Sequence, residues 1–255
     1  MNILVIGDIV GDSGVNMAIN HVRSLKKEYG AHFCIINGEN ACSNNGLTRE
    51  KAQILFDAGA DVITLGNHAF RQKEIIDVLE ENDSLIRPIN FPKGTPGKGY
   101  TIKTVNNKKI AVINALGRIY MDYCDCPFTK IDELLEEIKA DIIIVDFHAE
   151  ATSEKQALSW HLDGRISALF GTHTHVQTAD ARVLLNGTGY ISDVGMTGPY
   201  NSCLGVRREI IIDRFMKCIP QRFEFAKGEA QLNGALFKIN EQNKTEEIIT
   251  INIRP

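Results

Sequence analysis

Gly171-Thr-His-Thr-His175 is the densest chemical signal in the chain. Two histidines stand at i and i+2 directly after the apolar run Ile166–Phe170. If the chain stays extended there, both imidazoles point the same way, and burying both without partners is costly. Four other polar sites, Asp8, Glu39, Asn67-His68 and His148, fall at or just after the ends of separate apolar runs. Each has an ordinary reading alone. Asp8 could cap a helix, Glu39 could be a solvated loop acid, Asn67-His68 a turn, and His148 a satisfied core histidine. These four ordinary readings must then hold at once, and the double histidine still lacks one, whereas a shared site needs one assumption.

The chemistry of such a site follows from its atoms. Carboxylate, amide oxygen and neutral imidazole suit divalent iron, manganese, cobalt or zinc, with no thiolate required. One tetrahedral site uses about four ligands, so this set is large enough for two divalent metal ions. A carboxylate can span two ions about 3.5–4 Å apart, and such a pair activates water and clamps an in-line displacement at phosphorus. A phosphate ester is the natural substrate.

Positioning these groups requires strands. Asn2–Ile6 reads as a buried parallel strand, and Val15, Ala18, Ile19, Val22 and Leu25 recur at helical spacing behind it, with Asp12 or Ser13 as N-cap. Strands follow at Phe33–Ile36 and Asp61–Leu65, with helices at Thr48–Ala58 and Arg71–Glu81. This β-α alternation predicts an α/β chain with a mainly parallel sheet, and ligands bind beyond the carboxyl ends of such strands. Ile86–Gly99 reads as a loop, and Asn106-Asn107 as a hairpin turn between Tyr100–Val105 and Lys109–Asn114. A helix near Lys130–Ala140, a strand at Ile142–Phe147, a helix at Ser153–His161 and a strand at Ile166–Phe170 come next. From Arg182 onward strands are expected around 183–185, 190–192, 208–213, 222–225, 235–239 and 247–253, giving an antiparallel-rich second half within one domain spanning 1–255.

Bulk properties bound the function. Net charge is −4, with 44% hydrophobic and 24% charged residues, which excludes a disordered chain and argues against a broad nucleic-acid or membrane surface. No apolar stretch approaches the ~20 residues of a membrane span, and Met1–Ile6 enters a strand with no signal-peptide pattern, so a cytoplasmic location is expected. The six cysteines are scattered, and Cys124-Asp-Cys126 lacks a second pair at zinc-site spacing.

At the site residues the chain resembles the calcineurin-like metallophosphoesterases. Gly66-Asn67-His68 and Gly171-Thr-His173-Thr-His175 match two blocks of that pattern, and His148 matches its isolated histidine. Asp8-Ile9-Val10 lacks the usual D-x-H histidine, and Gly38-Glu39-Asn40 replaces the second acidic block. These departures, with Asp146–Lys155, Gly171–Asp180 and Ser192–Pro199, resemble the YmdB-like branch. Ala69-Phe70-Arg71 stands where that branch usually has Thr-Trp-Asp.

The resemblance implies a layered metallophosphoesterase-type fold, with mixed sheets sandwiched with helices. It also implies a di-metal phosphodiesterase, often iron-containing with manganese as the alternative, acting on 2′,3′-cyclic nucleotides by metal-activated hydroxide attack. Asp8, Glu39, Asn40 and His175 would hold the first ion, Glu39 would bridge, and Asn67, His148 and His173 would complete the second. His68 would protonate the leaving oxygen, a role its intrinsic pKa suits. A phosphomonoesterase or nuclease on the same scaffold stays open, as do RNA ends as substrate and homo-oligomerisation. Substrate choice is expected to rest on loops 86–99 and 117–127, with Arg118 available to a phosphate. Gly7, Gly11 and Gly14 also admit a nicotinamide-dependent oxidoreductase, although their spacing is not G-x-G-x-x-G and the histidines go unexplained. A non-catalytic metal-binding regulator would keep the ligands without needing His68.

Overall fold

The structure, a computed structural model, describes residues 1–121 and 123–255. In chain order, β1 (Asn2–Ile6) and β2 (Asp8–Ile9) lead into α1 (Gly11–Glu28), β3 (Phe33–Asn37), α2 (Arg49–Ala58), β4 (Val62–Thr64), α3 (Ile75–Glu81) and β5 (Leu85–Ile86). The hairpin β6 (Tyr100–Val105) and β7 (Lys108–Leu116) follows, then α4 (Pro127–Glu137), β8 (Ile142–His148), α5 (Thr152–Leu162) and β9 (Ala168–Thr172). Last come β10 (Arg182–Val183), β11 (Gly189–Ile191), β12 (Met196–Pro199), α6 (Arg208–Lys217), β13 (Ala230–Ile239) and β14 (Thr245–Ile253).

These strands form two mixed sheets. The first runs β2-β12-β13-β1-β3-β4-β5, with β14 on β13, and the second β10-β11-β9-β8-β7-β6. Alternation along β1 explains the layering. Ile3 and Val5 face the other sheet, where they meet Val112, Ile144 and Phe170, with Phe237 of the neighbouring β13 in the same layer. Leu4 and Ile6 face outward onto Val15, Ala18, Val22 and Leu55 of α1 and α2. The second sheet repeats this with Val145 and Phe147 against Ile131, Leu158 and Leu162 of α4 and α5. Strands buried on both faces need continuous apolar runs, and β1, β3, β4 and most of β8 have them.

Local chemistry sets the ends. Thr48 caps α2 by accepting the Lys51 N–H at 3.3 Å, and Pro127 opens α4, where its missing N–H costs nothing. Asn106 and Asn107 both adopt positive φ, as the two-residue hairpin turn demands.

Several expectations need correction. α1 begins at Gly11 behind Val10, not behind an Asp12 or Ser13 cap, because Val10 N–H is taken by Thr197 O and Gly11 N–H by Asn40 O. Ile19 is half exposed on the flank of the buried stripe. The helix expected from Arg71 starts only at Ile75. Residues 208–213 are helix α6, not strand: no strand of the described residues pairs with the Ile210-Ile-Ile212 run, and none of the helix is buried. Without a partner strand its β-propensity has nothing to act on. Glu209 in the first turn, Arg214 and Lys217 in the last, and the Lys217–Asp213 pair favour the helix instead. Residues 222–225 make only the isolated bridge Val206–Phe225. In the 117–127 loop, Asp122 lies outside the described residues.

Candidate metal centre

The two sheets meet with their carboxyl-end loops on one side, and every expected site residue is delivered there. Asp8 opens β2, Glu39 and Asn40 follow β3, and Asn67 and His68 follow β4. The second sheet contributes His148, the last residue of β8, and His173 and His175 beyond the end of β9. Glu39, His148 and His173 each offer a ligand atom, and these atoms lie within 4.8 Å of one another.

His148 is the hub. Its Nε2 stands 3.1 Å from Glu39 Oε1, 3.1 Å from Asn67 Oδ1 and 3.1 Å from His173 Nδ1. Its Nδ1 faces Thr172 Oγ1 at 2.9 Å, and that hydroxyl donates its only hydrogen to Asp146 Oδ1 at 2.7 Å. Thr172 must therefore accept from His148 Nδ1–H, which turns the Nε2 lone pair of the neutral ring toward the cluster. The same pattern recurs twice. His175 donates from Nδ1 to Leu204 O at 2.9 Å, and its Nε2 faces Asp8 Oδ1 at 3.8 Å. His173 Nε2 meets Glu150 Oε2 at 3.2 Å, leaving Nδ1 inward. Three imidazoles thus present lone pairs, beside two buried carboxylates and an amide.

Lone pairs pointed at one another repel unless a cation lies among them, and the donor set fits divalent metal. Asp8 Oδ1 makes the same point, being buried with no hydrogen-bond partner. Titration reflects the crowding. Burial would lower the His148 pKa, but with no cation among these groups the neighbouring Glu39, then Asp8 and Asp146, push it up to about 9, so that a proton takes the place a metal would hold on Nε2. Burial and the charge on His148 bring His173 down to about 3. Burial works against the Glu39 charge, yet His148 and His68 hold its carboxyl well below the usual range. Burial raises the Asp8 carboxyl.

Gly66 makes the packing possible. A Cβ there would lie 2.4 Å from both Glu39 Oε2 and His148 Nε2. His68 stands at the rim, its Nδ1 2.8 Å from Asn40 Oδ1 and its Nε2 3.4 Å from Asn45 Nδ2. Its backbone N–H donates to Glu39 Oε2 at 3.0 Å.

The chain is not extended at the double histidine. β9 ends at Thr172, and His173 and His175 have φ of 99° and 64°. Their rings converge because the turn's N–H groups are held: His173 N donates to Asp8 Oδ2 at 3.2 Å and Thr174 N to Asp193 Oδ2 at 3.0 Å. Asp193 is in turn paired with buried Lys155 at 2.8 Å.

Sequence reasoning also missed the walls. A cavity of about 530 Å³ opens over the cluster, walled by Asn44, Asn45, Leu204, Arg222 and Phe223 rather than by loops 86–99 or 117–127. Arg118 lines a different cavity with Glu154 and Phe128. The orienting groups Asp146, Glu150 and Lys155 sat inside recognisable runs, but nothing local marks an orienting role. Gly7 and Gly14 serve packing rather than a dinucleotide: a Cβ would lie 1.8 Å from Gly195 O or 2.2 Å from Thr197 O.

Residues 4–251 match the family described as YmdB-like protein. The chain is 52% identical over 246 residues to a Bacillus subtilis protein named 2′,3′-cyclic-nucleotide 2′-phosphodiesterase, covering 96% of this chain and 93% of that one. A hypothetical protein from Thermus thermophilus superposes with a TM-score of 0.95 at 42% identity, covering all of both chains. A structure described as a novel phosphatase from Mycoplasma pneumoniae superposes at 0.96 and 36% identity, covering 100% of this chain and 93% of that one. The layered α/β fold is therefore that of phosphate-ester hydrolases. The chain belongs to the YmdB-like family.

Proposed function

We propose that this chain is a divalent-metal-dependent phosphodiesterase acting on 2′,3′-cyclic nucleotides. The observation that carries this reading is the convergence of three imidazole lone pairs with Glu39, Asp8 and Asn67, each imidazole held from behind by a protein acceptor. The Bacillus subtilis relative's name supports the choice of ester. Asp8, Glu39, Asn40 and His175 would hold one ion and Asn67, His148 and His173 the other, with Glu39 shared. Imidazole, carboxylate and amide without thiolate admit iron and manganese alike, and the choice of iron rests on the resemblance. When bound, such a pair supplies Lewis acidity to the phosphoryl oxygens and makes hydroxide available near neutral pH.

The chain's own residues do the rest. Hydroxide adds at phosphorus, the P–O2′ bond breaks, and the 2′ oxygen needs a proton, leaving a 3′-monophosphate. His68 supplies that proton. As the acid, His68 is the imidazolium: its Nδ1–H is held by Asn40 Oδ1 at 2.8 Å, and its Nε2, on the side of Asn45, is the atom that gives up the proton.

The test is a substrate panel with metal-loaded protein: 2′,3′-cyclic nucleotides, 3′,5′-cyclic nucleotides, an acyclic diester, a monoester, and oligoribonucleotides ending in a 2′,3′-cyclic phosphate. The 2′,3′-cyclic ester should be turned over fastest and yield the 3′-monophosphate. Preference for the monoester, or full activity after removal of divalent ions, would refute the proposal.

A further inference from the structure

The metal cluster accounts for the floor of the cavity but not for its wall. Phe223 is 43% exposed, a high value for an aromatic ring beside a polar site. The guanidinium of Arg214 lies 4.9 Å from the ring centroid and covers part of it, while Phe223 lines the cavity over the cluster. It also lines a second cavity of about 650 Å³ that shares Ser43, Asn44, Arg222 and Phe225 with the first. Arg222 has no hydrogen bond or ion pair to any described residue. Both volumes lie in the range of small-ligand sites.

This wall is tied to the centre. Val206 bridges to Phe225, Ala226 N donates to Gly205 O at 2.8 Å, and Arg207 N to Glu224 O at 2.9 Å. The adjoining Leu204 carbonyl is the acceptor that fixes His175. The backbone carrying Phe223 is thus held in register with a residue of the cluster.

We infer that Phe223 and Arg222 form the nucleoside subsite of this centre, Phe223 as the platform on which the base stacks and Arg222 as the donor to the base's acceptor edge. The inference rests on the reading of the site as a cyclic-nucleotide phosphodiesterase. The chemistry matches on both counts. Every base offers a π-face to an aromatic ring, and an arginine stacked on that ring adds a cation–π contact that holds the ring in place. An unpaired guanidinium suits planar acceptor edges better than a lysine would. A free cyclic phosphate needs neither group, so the wall is where a nucleotide is distinguished from a simpler cyclic diester.

Ethylene phosphate, a five-membered cyclic diester with no ribose or base, provides the comparison. Wild type and the Phe223→Ala, Phe223→Trp and Arg222→Met variants are assayed on 2′,3′-cyclic AMP and on ethylene phosphate, with bound metal measured in each. Stacking removed by alanine corresponds to about a five- to hundredfold effect. Phe223→Ala should therefore raise KM for the nucleotide at least about fivefold and shrink the nucleotide-over-ethylene-phosphate preference by the same factor. Phe223→Trp should restore it, and Arg222→Met should move it in the same direction as alanine. A purely structural defect would lower both substrates together and leave the ratio where it was, which overturns the subsite. Wild type that hydrolyses ethylene phosphate as well as the nucleotide also overturns it, while leaving the phosphodiesterase reading standing. Wild type inert toward every phosphodiester overturns both.

Discussion

One amide and one imidazole show how much rests on single atoms. Asn40 touches Glu39, His175 and His68 at once, through Nδ2 at 2.9 and 3.3 Å and Oδ1 at 2.8 Å. His68 itself stands at the rim, its Nδ1 3.3 Å from Glu39 Oε1 and its Nε2 turned to Asn45 rather than to His148. His68→Ala is therefore expected to keep its full metal content and to lose about 10²–10⁴ in kcat, the range of general acids. Metal analysis alongside turnover decides this, and loss of the ions would show that His68 is a ligand. Away from the centre, Asp180 accepts from Ser192 N at 3.1 Å and from the hydroxyls of Ser192 and Thr178. Partial burial works against its charge, but these hydrogen bonds win and lower its pKa. A carboxyl lowered in the folded state adds stability above its unfolded pKa, and that stability is lost as pH falls through the folded value. Asp180→Asn should therefore have a lower melting temperature than wild type at pH 7, with the gap closing below about pH 4.

At the scale of elements, the turn after β9 is held from beneath by α5. Lys155, fully buried on that helix, donates to Thr172 O at 2.9 Å and to Asp193 Oδ2 at 2.8 Å. The same Asp193 oxygen accepts the Thr174 N–H between the two histidines. Removing one member of a buried pair leaves an uncompensated charge, which costs about 3–5 kcal/mol. Lys155→Met should show that loss in urea unfolding, and adding Asp193→Asn should recover part of it. An additive loss in the double variant would show that the two do not act as a pair. Helix α6 is the opposite case, an element with no buried residue, and contributes nothing to the core.

Across the whole molecule, the apolar layer between the sheets sets the spacing of the two halves of the centre. Asp8, Glu39 and Asn67 ride on one sheet and His148 and His173 on the other, so the 3.1 Å contacts among them depend on how the sheets stack. Phe237 is fully buried in that layer and reaches Gly189 of β11, where a Cβ would lie 2.8 Å from its ring. Phe237→Ala should cost about 3–5 kcal/mol in denaturant unfolding. The loss should appear as one shifted transition, because both sheets bury the same layer. Two separate transitions would contradict that reading. No helix of the described residues is long and apolar enough to cross a membrane.

Most of the elements, and the residues that end them, follow from local pattern in the chain. Parallel strands buried on both faces must be continuous apolar runs, so the runs ending before Asp8, Glu39 and His148 announced strand ends on sight. The rest came from contacts between distant parts of the chain. Residues 208–213 read as strand because their isoleucines favour one, but no described strand pairs with them and they form a helix. His173 and His175 converge through left-handed backbone held by Asp8 and Asp193, contacts spanning 165 and 19 residues. Lys155, Glu150 and Phe223 acquire meaning only from what they face. Short-range periodicity reports local burial, whereas orientation of a ring or exposure of a wall depends on partners far away in the chain, and those exist only once the two sheets have packed.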